Sequence, residues 1–151
     1  MEKNKPPESF GVFKPVGHIV MAYRSPDALQ SACGALLEQG FTQAAMLRYS
    51  SQEMAEQVDT ELKNASPLAS FGYELKLINI YRELAAAGCA FLIVHAPEDE
   101  QVARVAAVAN RMRAVTAQRY GSLIIEELVN QAPVGTAPTA PGDPVAAALQ
   151  R

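Results

Sequence analysis

The sequence predicts an α+β sandwich made of two strand–helix–strand units with a helical insert between them. The first observation is a unit that runs His18-Ile19-Val20-Met21-Ala22-Tyr23, then a helical pattern from Pro26 to Gln39, then Leu47-Arg48-Tyr49-Ser50-Ser51. The second is its echo in the other half, where Phe91-Leu92-Ile93-Val94-His95 leads to a helical pattern from Glu98 to Arg113 and then to Gln118-Arg119-Tyr120-Gly121-Ser122. The third is the helical periodicity of the intervening residues, about 51–88. Two such units interleave into the ferredoxin-like arrangement, with a sheet on one side and helices on the other. A plain version of that arrangement crosses directly from its second strand to its third, so the insert is where a specific surface can be added.

The first strand, His18 to Tyr23, ends at Ser25-Pro26-Asp27, where Ser25 suits a helix N-cap, Pro26 the first helical position and Asp27 the positive helix end. Leu29, Ala32, Cys33, Leu36 and Leu37 form the apolar stripe of that helix, and Gly40 supplies its left-handed stop before Phe41. A second strand follows from about Ala44 to Tyr49. Ser50 and Glu53 then fit a capping box, opening a helix with Met54, Val58 and Leu62 on one side. Its carboxylates Glu53, Glu56, Asp59 and Glu61 read as a solvated face.

After a break at Asn64 to Pro67, a longer helix is expected from about Leu68 to Ala87, with Gly72 inside it and Gly88 closing it. The third strand, Ala90 to Ala96, is almost continuously apolar and reads as central. The acidic start Glu98-Asp99-Glu100 and the basic end Arg111, Arg113 suit the next helix, whose stripe is Val102, Val105, Ala106, Ala109 and Met112. In the fourth strand, from about Val115 to Tyr120, Val115, Ala117 and Arg119 alternate with Thr116, Gln118 and Tyr120. An apolar segment, Leu123 to Leu128, ends the domain.

Residues 1–9 read as a tail, 10–130 as one domain and 131–151 as an Ala/Pro/Gly-rich C-terminal tail, in which Pro144 onward can form a short helical turn. A chain of 151 residues buries enough surface to fold without a staple. A net charge of −3 with scattered basic residues offers no nucleic-acid footprint. No secretory leader is visible, and the apolar run around Cys89 to Ala96 is too short to span a bilayer, so the expected setting is cytoplasmic, away from membranes. Cys33 and Cys89 have no metal-ligand spacing and are expected as buried free thiols.

Chemistry is sparsely signalled. His95 stands at the end of a central strand before an acidic turn, where small-molecule sites form. His18 begins the first strand, and if the two central strands ran parallel the histidines would not meet, which argues against a two-histidine metal site. No catalytic residue, cofactor or metal is assigned. His95, Tyr73 and Tyr81 are the candidate ligand-binding residues, in a cleft between insert and sheet. Arg48-Tyr49 and Arg119-Tyr120 are expected on opposite sheet edges, as edge protection or dimer contacts.

The strand Ile19-Val20-Met21-Ala22-Tyr23, the helix Ala28 to Leu37, Gly40-Phe41, the strand ending at His95 with its acidic turn, and Tyr120-Gly121 followed by Ile125-Glu126-Glu127-Leu128 resemble the general-stress protein family typified by heat-induced stress protein YflT. The resemblance covers roughly residues 16–128. The glycine-rich central segment common in that family is replaced here by the helical insert. The resemblance implies a setting in stress and no established reaction, with no catalytic residues to carry over.

The leading expectation is therefore a non-enzymatic, stress-related accessory or binding protein that self-associates as a homodimer by burying an exposed sheet face or edge strands. The alternative is a small-molecule sensor or enzyme with its cleft near His95. A protein partner docking on the acidic helix from Ser51 to Leu62 is a further possibility.

Overall fold

The computed structural model describes residues 16–64, 73–121, 124–129 and 142–149. The two strand–helix–strand units are β1 (His18–Tyr23), α1 (Pro26–Glu38) and β2 (Met46–Tyr49), then β3 (Ala90–His95), α4 (Asp99–Arg111) and β4 (Thr116–Tyr120). Between them lie α2 (Ser51–Asn64) and α3 (Tyr73–Ala86), and after them β5 (Ile125–Glu127) and α5 (Pro144–Leu149). The five strands form one sheet in the order β2-β3-β1-β4-β5. Its first four positions are the ferredoxin-like order, so the chain is a ferredoxin-like α+β sandwich with one added edge strand.

Local signals act where the sequence places them. The Ser25 hydroxyl accepts from the Ala28 amide at 3.1 Å, and Pro26 opens α1. The Ser50 hydroxyl accepts from the Glu53 amide at 3.1 Å while the Glu53 carboxylate accepts from the Ser50 amide at 3.0 Å, completing the box at α2. A second box, unforeseen, opens α4: Gln101 reaches back to the Glu98 amide at 3.0 Å. Gly40 and Gly88 take φ of +95° and +93° at the helix stops.

Every strand pairing is antiparallel, including that of the central β1 and β3. The expectation hinging on parallel central strands is corrected here. Each crossover makes its own two strands parallel but leaves a gap between them, and the gap is filled by a strand of the other unit running the opposite way. His18 and His95 are consequently direct partners across the ladder.

Strand alternation feeds two cores. Ile19, Met21, Tyr23, Leu92, Val94 and Ala117 pack with α1 and α4 on one face. Val20, Ala22, Leu47, Phe91 and Ile93 pack with Met54 and Val58 of α2, Leu77, Tyr81 and Leu84 of α3, and Val145 and Ala148 of α5 on the other. The sandwich holds, but its second sheet face is not open: the insert covers it, because its apolar stripes have no other surface to bury against. The short helix within the anticipated C-terminal tail is part of that cover. The Arg24 guanidinium holds Asp143, just before α5, at 3.0 Å, and this hydrogen-bonded pairing keeps the Asp143 carboxyl below its ordinary range.

Both cysteines are free and buried. Of the α2 carboxylates read as solvated, Glu56 and Asp59 are exposed, whereas Glu61 is buried and accepts from Gln57 Nε2 at 3.0 Å. Among the described residues no helix is long and apolar enough to cross a membrane.

Candidate functional site

Residues of alternating parity on the three inner strands meet beneath the insert. Tyr120 of β4 faces His18 of β1, and His18 faces His95 of β3, forming one row across the end of the sheet. The next row runs Ile93, Val20, Gln118 and Glu127. Both rows belong to the face on which α3 packs, as the burial of Val20, Ile93 and Tyr120 with Tyr81 shows.

The histidine rings lie with centroids 4.7 Å apart and planes tilted by 35°. The Nδ1 of His18 is 3.0 Å from the Val16 carbonyl. A carbonyl only accepts, so this nitrogen carries the proton and the ring's basic lone pair sits on Nε2. His95 is exposed and His18 half-buried, so the pair stands at the rim of the sheet rather than inside it.

Next to the histidines the sheet turns polar where a core is expected. Tyr81 reaches down from α3 and donates its hydroxyl to Gln118 Oε1 at 2.8 Å, while the Tyr120 hydroxyl lies 3.0 Å from the same Tyr81 oxygen. With the Tyr81 proton committed to Gln118, Tyr120 is the donor in that second contact. Gln118 Nε2 donates to Glu127 at 2.5 Å and to Thr116, and Thr116 donates to both Glu127 oxygens at 2.8 and 2.9 Å. The result is a directed chain from Tyr120 through Tyr81 and Gln118 to the Glu127 carboxylate. Glu127 is exposed overall on the edge strand, but partial desolvation of its carboxyl beside this chain pushes it above its ordinary range, and the hydrogen bonds from Thr116, the Ala117 amide and Gln118 partly offset this.

The three sequence candidates fare differently. His95 lies at the rim, against His18. Tyr81 is buried, edge-on to Phe91 at 6.1 Å, with its hydroxyl engaged in the chain, and supports the site from beneath. Tyr73 begins α3, and its side chain lies outside the described residues. A cavity of about 370 Å³ opens between α3 and α5, lined by Glu83, Ala86, Ala87, Pro144, Ala147 and Ala148, at the far end of β3 from His95. The two Arg-Tyr dipeptides stay apart. Arg48 on β2 donates to Cys33 Sγ at 3.3 Å, and Arg119 pairs with Asp99 at 2.7 Å, while β5 covers the outer side of β4.

Sequence reasoning missed His18, Thr116, Gln118, Tyr120 and Glu127 as one cluster. The signal was present in the alternation of Thr116, Gln118 and Tyr120, a polar row at strand period on a face that proves buried. Comparison of the chain with protein-family models, with curated protein sequences and with solved structures finds no match.

Proposed function

We propose that this chain is a non-enzymatic binding module that holds a small polar ligand where the ends of β1, β3 and β4 meet. The observation that carries the reading is the juxtaposition of His18 and His95 beside Tyr120, itself braced by Tyr81 and Gln118. Two imidazoles at a rim offer donors or acceptors to a ligand, and a rigid hydrogen-bonded floor keeps them in place at little entropic cost. The floor's hydroxyls and amide satisfy one another, which suits recognition better than proton transfer. A role under stress, implied by the resemblance to the YflT-type family, is compatible with such a module.

Native mass spectrometry of the freshly purified full chain tests the proposal. A reproducible added mass, lost on His95→Ala with the fold retained, supports it. No retained or added ligand from a metabolite mixture, or retention unaffected by His95→Ala, rejects it.

Self-association is the second reading, favoured by the position of β2. Among the described strands, β2 pairs with β3 alone and so presents its outer ladder. A symmetric dimer would pair two such edges, since both sheet faces are already covered. A monomer at micromolar concentration in sedimentation rejects that assembly.

A further inference from the structure

We propose that His18 and His95 form a cross-strand chelate for a divalent transition-metal ion of the Cu²⁺, Ni²⁺ or Zn²⁺ class. The inference rests on the reading of this rim as the binding site and names the chemistry of its ligand. Its first support is the ladder geometry. The Ala96 amide donates to the Gly17 carbonyl at 3.0 Å, just outside the facing pair His18 and His95. That places the two histidines at a non-hydrogen-bonded position, where facing side chains approach most closely.

The second support is reach. Two metal–imidazole bonds of about 2.0–2.1 Å each span nitrogens up to about 4 Å apart. The ring centroids stand 4.7 Å apart, close to that span. The strands beneath are held by fully buried neighbours, Ile19 and Val94, so the two ligands are preorganised.

The third support is the tautomer. The Val16 carbonyl fixes the proton of His18 on Nδ1 and directs the lone pair to Nε2, the outer-sphere arrangement that metal-binding histidines use. Neutral imidazoles select the borderline transition metals over Mg²⁺ and Ca²⁺, which require oxygen ligands. Among the described residues no group of three or more His, Cys, Asp and Glu side chains is placed to hold an ion. Within the described residues the site is a two-ligand chelate at the protein surface, open to further ligands such as water.

The test titrates the full chain with CuCl₂, NiCl₂ or ZnCl₂ alone, followed by calorimetry and, for Cu²⁺, by electron paramagnetic resonance and amide-signal broadening. One equivalent bound through two nitrogens is expected, with broadening centred on residues 17–19 and 94–96. His95→Gln and His18→Gln should each weaken binding at least about tenfold, in the range that loss of metal-site partners produces. The broadening on the unaltered chain reads the site even where a variant fails to fold. No binding, broadening elsewhere, or affinity unchanged in His95→Gln overturns the chelate. An organic ligand held in a His95-dependent way with EDTA present, and no metal uptake, would refute the chelate while sustaining the binding-site reading; loss of both would reject the two together.

Discussion

Replacing Tyr81 with Phe removes one oxygen from the centre of the buried polar chain and leaves the ring in its edge-on contact with Phe91. No cavity forms beyond the hydroxyl, so the effect isolates the hydrogen bonds. Gln118 Oε1 loses its donor at 2.8 Å and the Tyr120 hydroxyl loses its acceptor at 3.0 Å. Both residues are almost wholly enclosed, at 3% and 5% exposure, so water replaces the lost partner poorly. Leaving the buried Gln118 oxygen without this donor costs about 1–3 kcal/mol, so a loss of about 2 kcal/mol is expected. For a chain of this size that lowers Tm by about 4–8 °C. Urea unfolding followed by circular dichroism measures it, with a double-mutant cycle against Tyr120→Phe returning a coupling of about 0.5–3 kcal/mol. A change within about 0.5 kcal/mol, the size typical of surface substitutions, would refute the claim that these hydroxyls are sealed from solvent.

Three further outcomes are expected. Gly88→Ala should destabilise by about 1–2 kcal/mol through backbone strain alone, because φ is +93° and an added Cβ meets nothing within 4 Å; an unchanged urea midpoint would contradict this. Glu127 titrates above its ordinary value when folded, so its contribution is complete below the usual carboxylate range and is lost as pH rises through the raised value; the stability–pH curve of Glu127→Gln should lack that decline. Burial pushes the Cys89 thiol up to about 11, with Arg24 pulling it down and Asp143 raising it further, so Ellman's reagent should label it only as fast as the fold opens; immediate labelling of the native protein would show otherwise.

How much of this was legible beforehand depended on the range of the interaction. Ser25, Ser50 with Glu53, Gly40 and Gly88 act on amides or dihedrals within a few residues of themselves, and all four signals function as read. Most of the buried stripes of α1 and α4 follow from helical spacing in the same way, except that Leu37, counted in the first stripe, is exposed, while Ala35 and Val108 are buried. The candidate site was legible only in fragments. His95 could be placed at a strand end, and Tyr81 in the helical insert, but their relation to Tyr120 and Gln118 is created by packing α3 across β4.

The chain's periodicities and caps were enough to specify two strand–helix–strand units, a helical insert and their apolar faces, since these depend on neighbours a turn or a residue pair away. Strand direction, the side of the sheet taken by the insert, the docking of α5 and the meeting of His18 with His95 depend on partners remote in sequence. Those were settled by how two duplicated units interleave and by which apolar surface remained for α2, α3 and α5 to cover. Antiparallel pairing of β1 with β3 is the decisive case: no residue in either strand announces it, yet it places both histidines at the same end of the sheet.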